Sequence, residues 1–223
     1  MALELVCFDI GGVMYDDTIY ARAMHTALRH LGASFTDEEF DEVYRDARAA
    51  QSGSFRRLLA HRFLGPDADL RALEVEASKH WAYPPEALHD DVRPCLEALA
   101  PRYGLAIVAN QPSTVRDALQ RDGLDAYFEV WGVSDDVGLE KPDPALFTHV
   151  LMRAGVAPPN SVMVGDRLDY DVRPAKAAGM RTVWVLRGEA PDDPTPEQLA
   201  EADAAIGGLD ALPAALETLE RHA

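Results

Sequence analysis

The stretch VCFDIGGVMYDD, residues 6–17, decides the fold class of this 223-residue chain. A short apolar run ends on Asp9, and two glycines, Gly11 and Gly12, follow almost at once. The run from Leu3 to Phe8 is apolar apart from one glutamate, which predicts a buried strand with a glycine turn behind it. A carboxylate at the end of such a strand is a candidate for chemistry as well as for a simple turn.

Four further apolar runs predict strands later in the chain, and helical segments separate them. The runs are GLAIVAN, YFEVWGVS, SVMVGD and RTVWVLRG, and the third repeats the first design of apolar run, glycine and aspartate. Strands that alternate with helices predict an α/β fold built on a parallel sheet. We expect the proline-rich acidic segment at residues 188–203 to be an exposed loop, and residues 210–222 to form a closing helix.

The region between the first and second predicted strands has a helical pattern throughout. Thr36 and Glu39 have the spacing of a capping box at the start of one helix. We therefore predict a discontinuous core of residues 1–14 and 87–223, and an inserted all-helical domain of residues 15–86. Ligands of such sheets bind at the carboxyl ends of the strands, so the insertion would lie over that site.

Composition excludes several classes of partner. The 21 basic and 38 acidic residues give a net charge of −17, which argues against nucleic acid and anionic membranes as partners. Two cysteines in apolar or helical stretches, Cys7 and Cys95, fit a reducing cytosol better than a disulfide framework. The N-terminal stretch predicts neither a signal peptide nor a transmembrane helix, so we expect a cytoplasmic protein, either a monomer or a homodimer.

Polar residues that follow the predicted strands should meet at one edge of the sheet. They are Asp9, Asn110, Lys141, Asp166 and Asp171. Three carboxylates at one place would repel each other, and a hard divalent cation such as Mg²⁺ would resolve this because it takes oxygen ligands. A lysine near the first aspartate would hold it ionised and could also bind an anionic substrate.

Three short motifs, FDIGGV, KPDP and GDRLDYD, resemble those of the haloacid dehalogenase superfamily of hydrolases, in the same order along nearly the whole chain. The resemblance implies a Rossmann-like parallel sheet core with an inserted helical cap. It also implies a Mg²⁺-dependent phosphatase that acts on a small phosphorylated metabolite through an aspartyl-phosphate. Asp9 would be the nucleophile, and Lys141 would balance charge and hold the phosphoryl group.

The same resemblance assigns the ligands of the metal and of the substrate. The metal would be held by Asp9, the Gly11 carbonyl, Asp166 and Asp171. Gly11, Gly12, Asn110 and Lys141 would contact the substrate. From the residues alone, Asp171 could instead be only the N-cap of the following helix, and Asn110 could simply satisfy backbone groups at the strand end.

Two departures from the superfamily pattern affect the predicted reaction. Gly11 replaces the aspartate that usually serves as general acid and base, and Ala109 replaces a phosphate-binding Ser or Thr. Loss of a general acid typically costs about 10²–10⁴ in rate. Either Asp16 or Asp17 could supply the proton instead, directly or through water.

Two alternatives to a phosphatase remain open at this stage. A haloacid dehalogenase-type hydrolase acting through an aspartyl ester would need neither the metal nor the second aspartate, although its first motif usually differs from DIGGV. A non-catalytic ligand-binding protein is the third hypothesis, and four charged residues kept together argue against it. The sequence does not identify the substrate.

Overall fold

The computed structural model describes residues 2–221, and these residues form a six-stranded parallel sheet in the order β3-β2-β1-β4-β5-β6. The strands are β1 (Leu5–Phe8), β2 (Gly104–Ala109), β3 (Val130–Val133), β4 (Ser161–Gly165), β5 (Arg181–Val185) and β6 (Ala204–Ile206). The chain first builds β1, β2 and β3 outward on one side and then β4, β5 and β6 on the other. The strand order therefore reverses between β1 and β4, where α/β sheets bind ligands.

Helices cover both faces of this sheet, and five α-helices precede β2. The α-helices are α1 (Thr18–His30), α2 (Asp37–Ala50), α3 (Phe55–Phe63), α4 (Leu70–Ser78), α5 (Val92–Leu99), α6 (Val115–Arg121), α7 (Ser134–Val137), α8 (Pro144–Ala154), α9 (Arg173–Ala177), α10 (Pro196–Leu199) and α11 (Leu212–Arg221). A π-helical turn, Leu168–Val172, precedes α9. The predicted α/β class and the parallel sheet are confirmed.

The continuous apolar runs of the strands are explained by burial on both faces of the sheet. In β1, Val6 and Phe8 lie in one hydrophobic cluster, while Leu5 and Cys7 lie in another on the opposite face. Side chains alternate between the faces of a strand, so both sets must be apolar when both faces are covered. Cys7 is a packing residue here, and burial raises the pKa of its thiol to about 12.

The four helices α1–α4, residues 18–78, form what we call the helical insertion, and they pack around a hydrophobic cluster of their own. The predicted capping box is confirmed: the Thr36 hydroxyl accepts from the Glu39 backbone, and the Glu39 carboxylate accepts from the Thr36 backbone. Tyr15 and Leu88 form an isolated bridge, which brings the two chain segments that lead in and out of the insertion together. The predicted limits of the inserted domain, residues 15–86, and of the discontinuous core remain a prediction.

The helical insertion contacts the core through the turn between α2 and α3. The buried Gln51 side chain donates to the Glu189 carbonyl and accepts from the Leu168 backbone, at 2.7 and 2.8 Å. Arg48 donates to the Ala190 carbonyl at 2.9 Å. These hydrogen bonds hold the insertion against the carboxyl edge of the sheet.

Two expectations about the C-terminal part of the chain were incomplete or wrong. The segment predicted as an exposed loop contains the short helix α10, which begins with a capping box of Thr195 and Gln198, and its Ala190 is buried. The strand β6 follows it and was not predicted, because three residues give too short an apolar run to recognise. The closing helix is described to Arg221, and residue 222 lies outside the described residues. Within the described part of the chain, every helix is too short or too polar to cross a membrane.

Candidate active site

Two aspartates lie side by side where the strand order reverses. Asp9 follows β1 and Asp166 follows β4, and the Asp9 backbone N–H donates to the Val164 carbonyl at 2.9 Å. Side-chain oxygens of Asp9, Asp166 and Asp171 all lie within 4.8 Å of one another. The structure thus brings together the three carboxylates that the sequence placed at one edge.

Lys141 is buried between two of these carboxylates. Its Nζ lies 3.0 Å from Asp9 Oδ1 and 2.6 Å from Asp171 Oδ1. Burial alone would lower the pKa of Lys141, but the charges of Asp171 and Asp9 raise it above its ordinary value. Burial raises the pKa of Asp9 to about 6, against the lowering effect of the lysine. The lysine is therefore a cation, and it compensates only part of the negative charge around it.

Asn110 positions this lysine through its backbone. Its side-chain nitrogen donates to the Lys141 carbonyl at 2.8 Å, and its side-chain oxygen accepts from the Lys141 backbone N–H at 2.7 Å. The Asn110 side chain thus satisfies backbone groups, but these groups belong to Lys141 and not to the end of strand β2. Its predicted substrate contact stays a prediction.

Asp171 is directed at the lysine by the π-helical turn. Its Oδ2 accepts from the Arg167 backbone N–H at 3.0 Å, while Oδ1 faces Lys141. The alternative interpretation of Asp171 as a helix N-cap is wrong, because the residue before α9 is Val172 and no side chain caps that helix. Gly165 makes the arrangement possible: a Cβ there would overlap the Asp171 side chain.

Asp166 is buried without a cationic partner. Its Oδ2 accepts from the Glu189 backbone N–H at 2.6 Å, and no lysine, arginine or histidine of residues 2–221 pairs with it. Burial, together with the charges of Asp171 and Asp9, raises its pKa well above the ordinary value. The three clustered carboxylates carry more negative charge than one lysine offsets, and their oxygen atoms are the ligands that a hard divalent cation prefers.

Gly12 and Gly188 allow the backbone to approach Asp166. Both have positive φ angles, 68° and 62°, and a Cβ on either would overlap the Asp166 carboxylate. Gly188 is the last residue of the predicted RTVWVLRG strand and lies three residues beyond the end of β5, and it was not singled out from the sequence. A glycine just past the carboxyl end of a strand was the available signal, as it was for Gly12.

The space beside Gly11 is filled by three polar side chains from elsewhere in the chain. A Cβ built on Gly11 would lie 2.8 Å from Asp17 Oδ1, 3.0 Å from the Tyr83 hydroxyl and 3.3 Å from Gln111 Nε2. Gln111 donates to the Tyr83 hydroxyl at 3.1 Å, and the Gln111 side-chain oxygen is buried without a hydrogen bond. Sequence reasoning missed Tyr83 and Gln111, since nothing in their local patterns marks them.

Asp16 and Asp17, the two candidates for a replacement acid, have different surroundings. Both oxygens of Asp16 accept from Thr18, one from its backbone and one from its hydroxyl, so Asp16 holds the start of α1. Asp17 has no hydrogen bond or ion pair to its carboxylate from the described residues. Burial, and then the charges of Glu189 and Asp9, raise the pKa of Asp17 well above its ordinary value.

The arrangement of these side chains indicates a class of protein. A carboxylate at the end of a central strand, held by a buried lysine and flanked by two further carboxylates, is an arrangement suited to the active site of a hydrolase. Residues 3–179 match the family described as haloacid dehalogenase-like hydrolase. The chain belongs to this family and is a hydrolase.

Known proteins of this family resemble the chain over most of its length. It is 34% identical over 188 residues to phosphoserine phosphatase of Thermus thermophilus, covering 83% of this chain and 72% of that protein. A HAD phosphatase structure from Thermococcus onnurineus has 28% identity and a TM-score of 0.62, covering 96% of this chain and 98% of the other. The 2-haloacid dehalogenase of Pseudomonas syringae pv. Tomato has 27% identity and a TM-score of 0.60, covering 99% and 100%.

Proposed function

We propose that the protein is a Mg²⁺-dependent phosphatase that hydrolyses a small phosphorylated metabolite. The observation that carries this proposal is the cluster in which Lys141 lies between Asp9 and Asp171, with Asp166 unpaired beside them. Asp9, the Gly11 carbonyl and Asp166 would hold the metal, and Asp171 would support it. When bound, the metal supplies positive charge that offsets the negative charge of the phosphoryl group.

Asp9 has the surroundings that a nucleophile needs. Its Oδ1 accepts from the Ile10 backbone at 2.8 Å and pairs with Lys141, so the orientation of the carboxylate is defined. We propose that an Asp9 oxygen forms a bond to phosphorus while the bond to the leaving oxygen breaks. Water then attacks the aspartyl-phosphate, releasing inorganic phosphate and restoring the carboxylate. Lys141 balances the charge of the phosphoryl oxygens in both steps.

Asp17 is our candidate for the proton donor that position 11 lacks. The space beside Gly11, where the usual acid would project, contains the Asp17 carboxylate. This carboxylate has no competing partner, whereas Asp16 is occupied at α1. A protonated Asp17 would give its proton to the leaving oxygen.

The helical insertion would act as a cap in this reaction. The hydrogen bonds of Gln51 and Arg48 hold it at the carboxyl edge of the sheet, where the carboxylate cluster lies. A closed insertion would exclude bulk water from the reacting groups and would contribute to the choice of substrate.

The first experiment measures phosphate release from acetyl phosphate and from glycerol phosphate, with Mg²⁺ and with EDTA. We expect turnover that needs Mg²⁺ and that Asp9→Asn abolishes, while the exposed Asp41→Asn has no effect. Activity that survives both EDTA and Asp9→Asn would contradict the proposal. Mg²⁺-dependent binding without turnover, measured by calorimetry, would instead support the ligand-binding hypothesis.

A second experiment separates the two candidate acids. Acetyl phosphate has a leaving group that needs no proton, whereas glycerol phosphate has one that does. Asp17→Asn should lower the glycerol phosphate rate about 10²–10⁴-fold and the acetyl phosphate rate far less. Asp16→Asn is the matched control and should leave that ratio unchanged. Equal losses on both substrates, or no loss, would exclude Asp17 as the acid.

Hydrolytic dehalogenation is the second candidate function, and the similarity to the 2-haloacid dehalogenase of Pseudomonas syringae favours it. In that reaction Asp9 would displace halide from carbon and form an ester that water hydrolyses. Chloride release from 2-chloropropionate in EDTA, lost in Asp9→Asn, would support this function. Absence of chloride release alongside Mg²⁺-dependent phosphate release would leave the phosphatase as the function.

A further inference from the structure

A second group of metal-ligating side chains lies in the helical insertion and just beyond its last residue, and the hydrolase site does not use it. His30 is the last residue of α1, Glu76 lies in α4, and His80 follows the end of α4 by two residues. His30 Nδ1 lies 2.9 Å and His80 Nε2 lies 3.3 Å from the same oxygen, Glu76 Oε1. Two imidazole nitrogens from different segments of the chain are thus directed at one carboxylate oxygen.

These separations match the edges of a small tetrahedral metal site. Zinc bonds of about 2.0–2.2 Å to nitrogen and oxygen place neighbouring ligand atoms of a tetrahedron about 3.3 Å apart. The three ligand atoms lie within 4.8 Å of one another, so one ion between them is within reach of all three. The two imidazole rings pack edge to face with centroids 5.0 Å apart, which restricts their orientations.

We propose that His30, Glu76 and His80 form a binding site for a first-row transition-metal ion such as Zn²⁺. Two imidazoles and one carboxylate suit this class of ion, whereas the all-oxygen cluster around Asp9 suits Mg²⁺. Without a metal, these nitrogens donate hydrogen bonds to Glu76 Oε1; to bind the ion, each imidazole would carry its proton on its other nitrogen. The inference is independent of the reaction proposed above, because none of its residues belongs to the hydrolase site.

The surroundings of the three residues leave room for the ion and for a further ligand. Lys79 Nζ pairs with Glu76 Oε2 at 2.5 Å, so Oε1 remains available for a metal. The His30 side chain is 53% exposed, which gives the ion a path from solvent and leaves a position for water. The Glu76 side chain is only 16% exposed, which limits its freedom to turn away.

A metal at this place would join the end of α1 to the end of α4. Helix α4 is the last helix before the chain returns to the core, so the ion would stabilise the insertion where the chain leaves it. Binding to the folded state alone raises stability in proportion to the logarithm of metal concentration. Zn²⁺ should therefore raise the melting temperature of the protein.

The test is a Zn²⁺ titration of the full chain without a histidine tag, in saturating Mg²⁺ to occupy the Asp9 cluster. The wild type should bind one more Zn²⁺ per chain than the double variant His30→Gln with His80→Gln. Zn²⁺ should also raise the melting temperature of the wild type by about 3 °C or more, relative to a chelator, and leave the double variant unchanged. His61→Gln, an exposed histidine of α3, is the matched control and should behave as the wild type.

Two results would overturn the proposal. One is equal Zn²⁺ stoichiometry and affinity in the wild type and the double variant. The other is a stability difference between them that is the same in chelator and in Zn²⁺. Hydrogen bonds from the two histidines to Glu76 would then explain the whole difference, without a metal. The single variant His30→Gln provides the same comparison if the double variant does not fold. Activity with Mg²⁺ reports separately on the Asp9 site.

Discussion

Adding a side chain at Gly11 should destabilise the protein, although this is the position at which related phosphatases carry their acid. The backbone of Gly11 does not have a positive φ angle, so its conformation allows any residue. The obstacle is space: a Cβ would lie 2.8 Å from Asp17 Oδ1, about 0.6 Å closer than the 3.4 Å at which ordinary contact begins. The Tyr83 hydroxyl, at 3.0 Å from the same Cβ, is a second obstacle.

The magnitude follows from this overlap. Forcing an extra methyl group into a packed site costs about 1–3 kcal/mol, and we expect that loss for Gly11→Ala. Gly11→Asp should cost more, because its larger side chain must fit into the same space and its carboxyl group is brought beside that of Asp17. Urea unfolding monitored by circular dichroism, in EDTA, measures both free energies of unfolding.

Two further variants make the reasoning testable. Gly207→Ala is the control, because that glycine has an ordinary φ and nothing within 4 Å of a built Cβ, so its cost should stay within about 0.5 kcal/mol. In an Asp17→Ala background, Gly11→Ala should cost at least about 1 kcal/mol less than in the wild type. Equal costs in the two backgrounds would refute the claim that Asp17 occupies this space.

Three other perturbations have expected outcomes. Lys141→Met leaves two buried carboxylates unpaired and should lower the free energy of unfolding by about 3–5 kcal/mol in EDTA. Lys176→Met, at an exposed ion pair, should cost less than about 1 kcal/mol in the same urea assay. Gln51→Ala leaves the buried Leu168 backbone N–H unpaired, so it should lower the free energy of unfolding by about 1–3 kcal/mol and speed tryptic cleavage of the helical insertion. Unchanged cleavage would argue against Gln51 holding the insertion closed. Gly188→Ala would displace the Asp166 carboxylate and should raise the Mg²⁺ concentration for half-maximal phosphate release at least about tenfold. Gly138→Ala, which has a similar φ angle but open space around the built Cβ, should leave that concentration unchanged.

The fold and the main charged residues of the site could be predicted because their signals are local. The apolar run before Asp9 shows a buried strand, and the run before Asp166 repeats its design. The Thr36–Glu39 spacing shows where a helix begins. Such patterns depend on residues within a few positions of each other, so they survive without knowledge of the tertiary structure. The short strand β6 escaped prediction because three residues carry too little pattern.

The sequence by itself determined an α/β fold with Asp9, Lys141 and Asp166 at one edge of a parallel sheet, because strand ends in such a sheet must meet. The hydrolase class followed from the resemblance of three motifs to a known family. Only the tertiary structure decided which side chains occupy the space beside Gly11. Asp17 reaches it across a turn, whereas Tyr83 and Gln111 come from segments more than seventy residues further along the chain. Contacts between distant segments depend on how helices and loops pack over the sheet, and no local pattern encodes that packing.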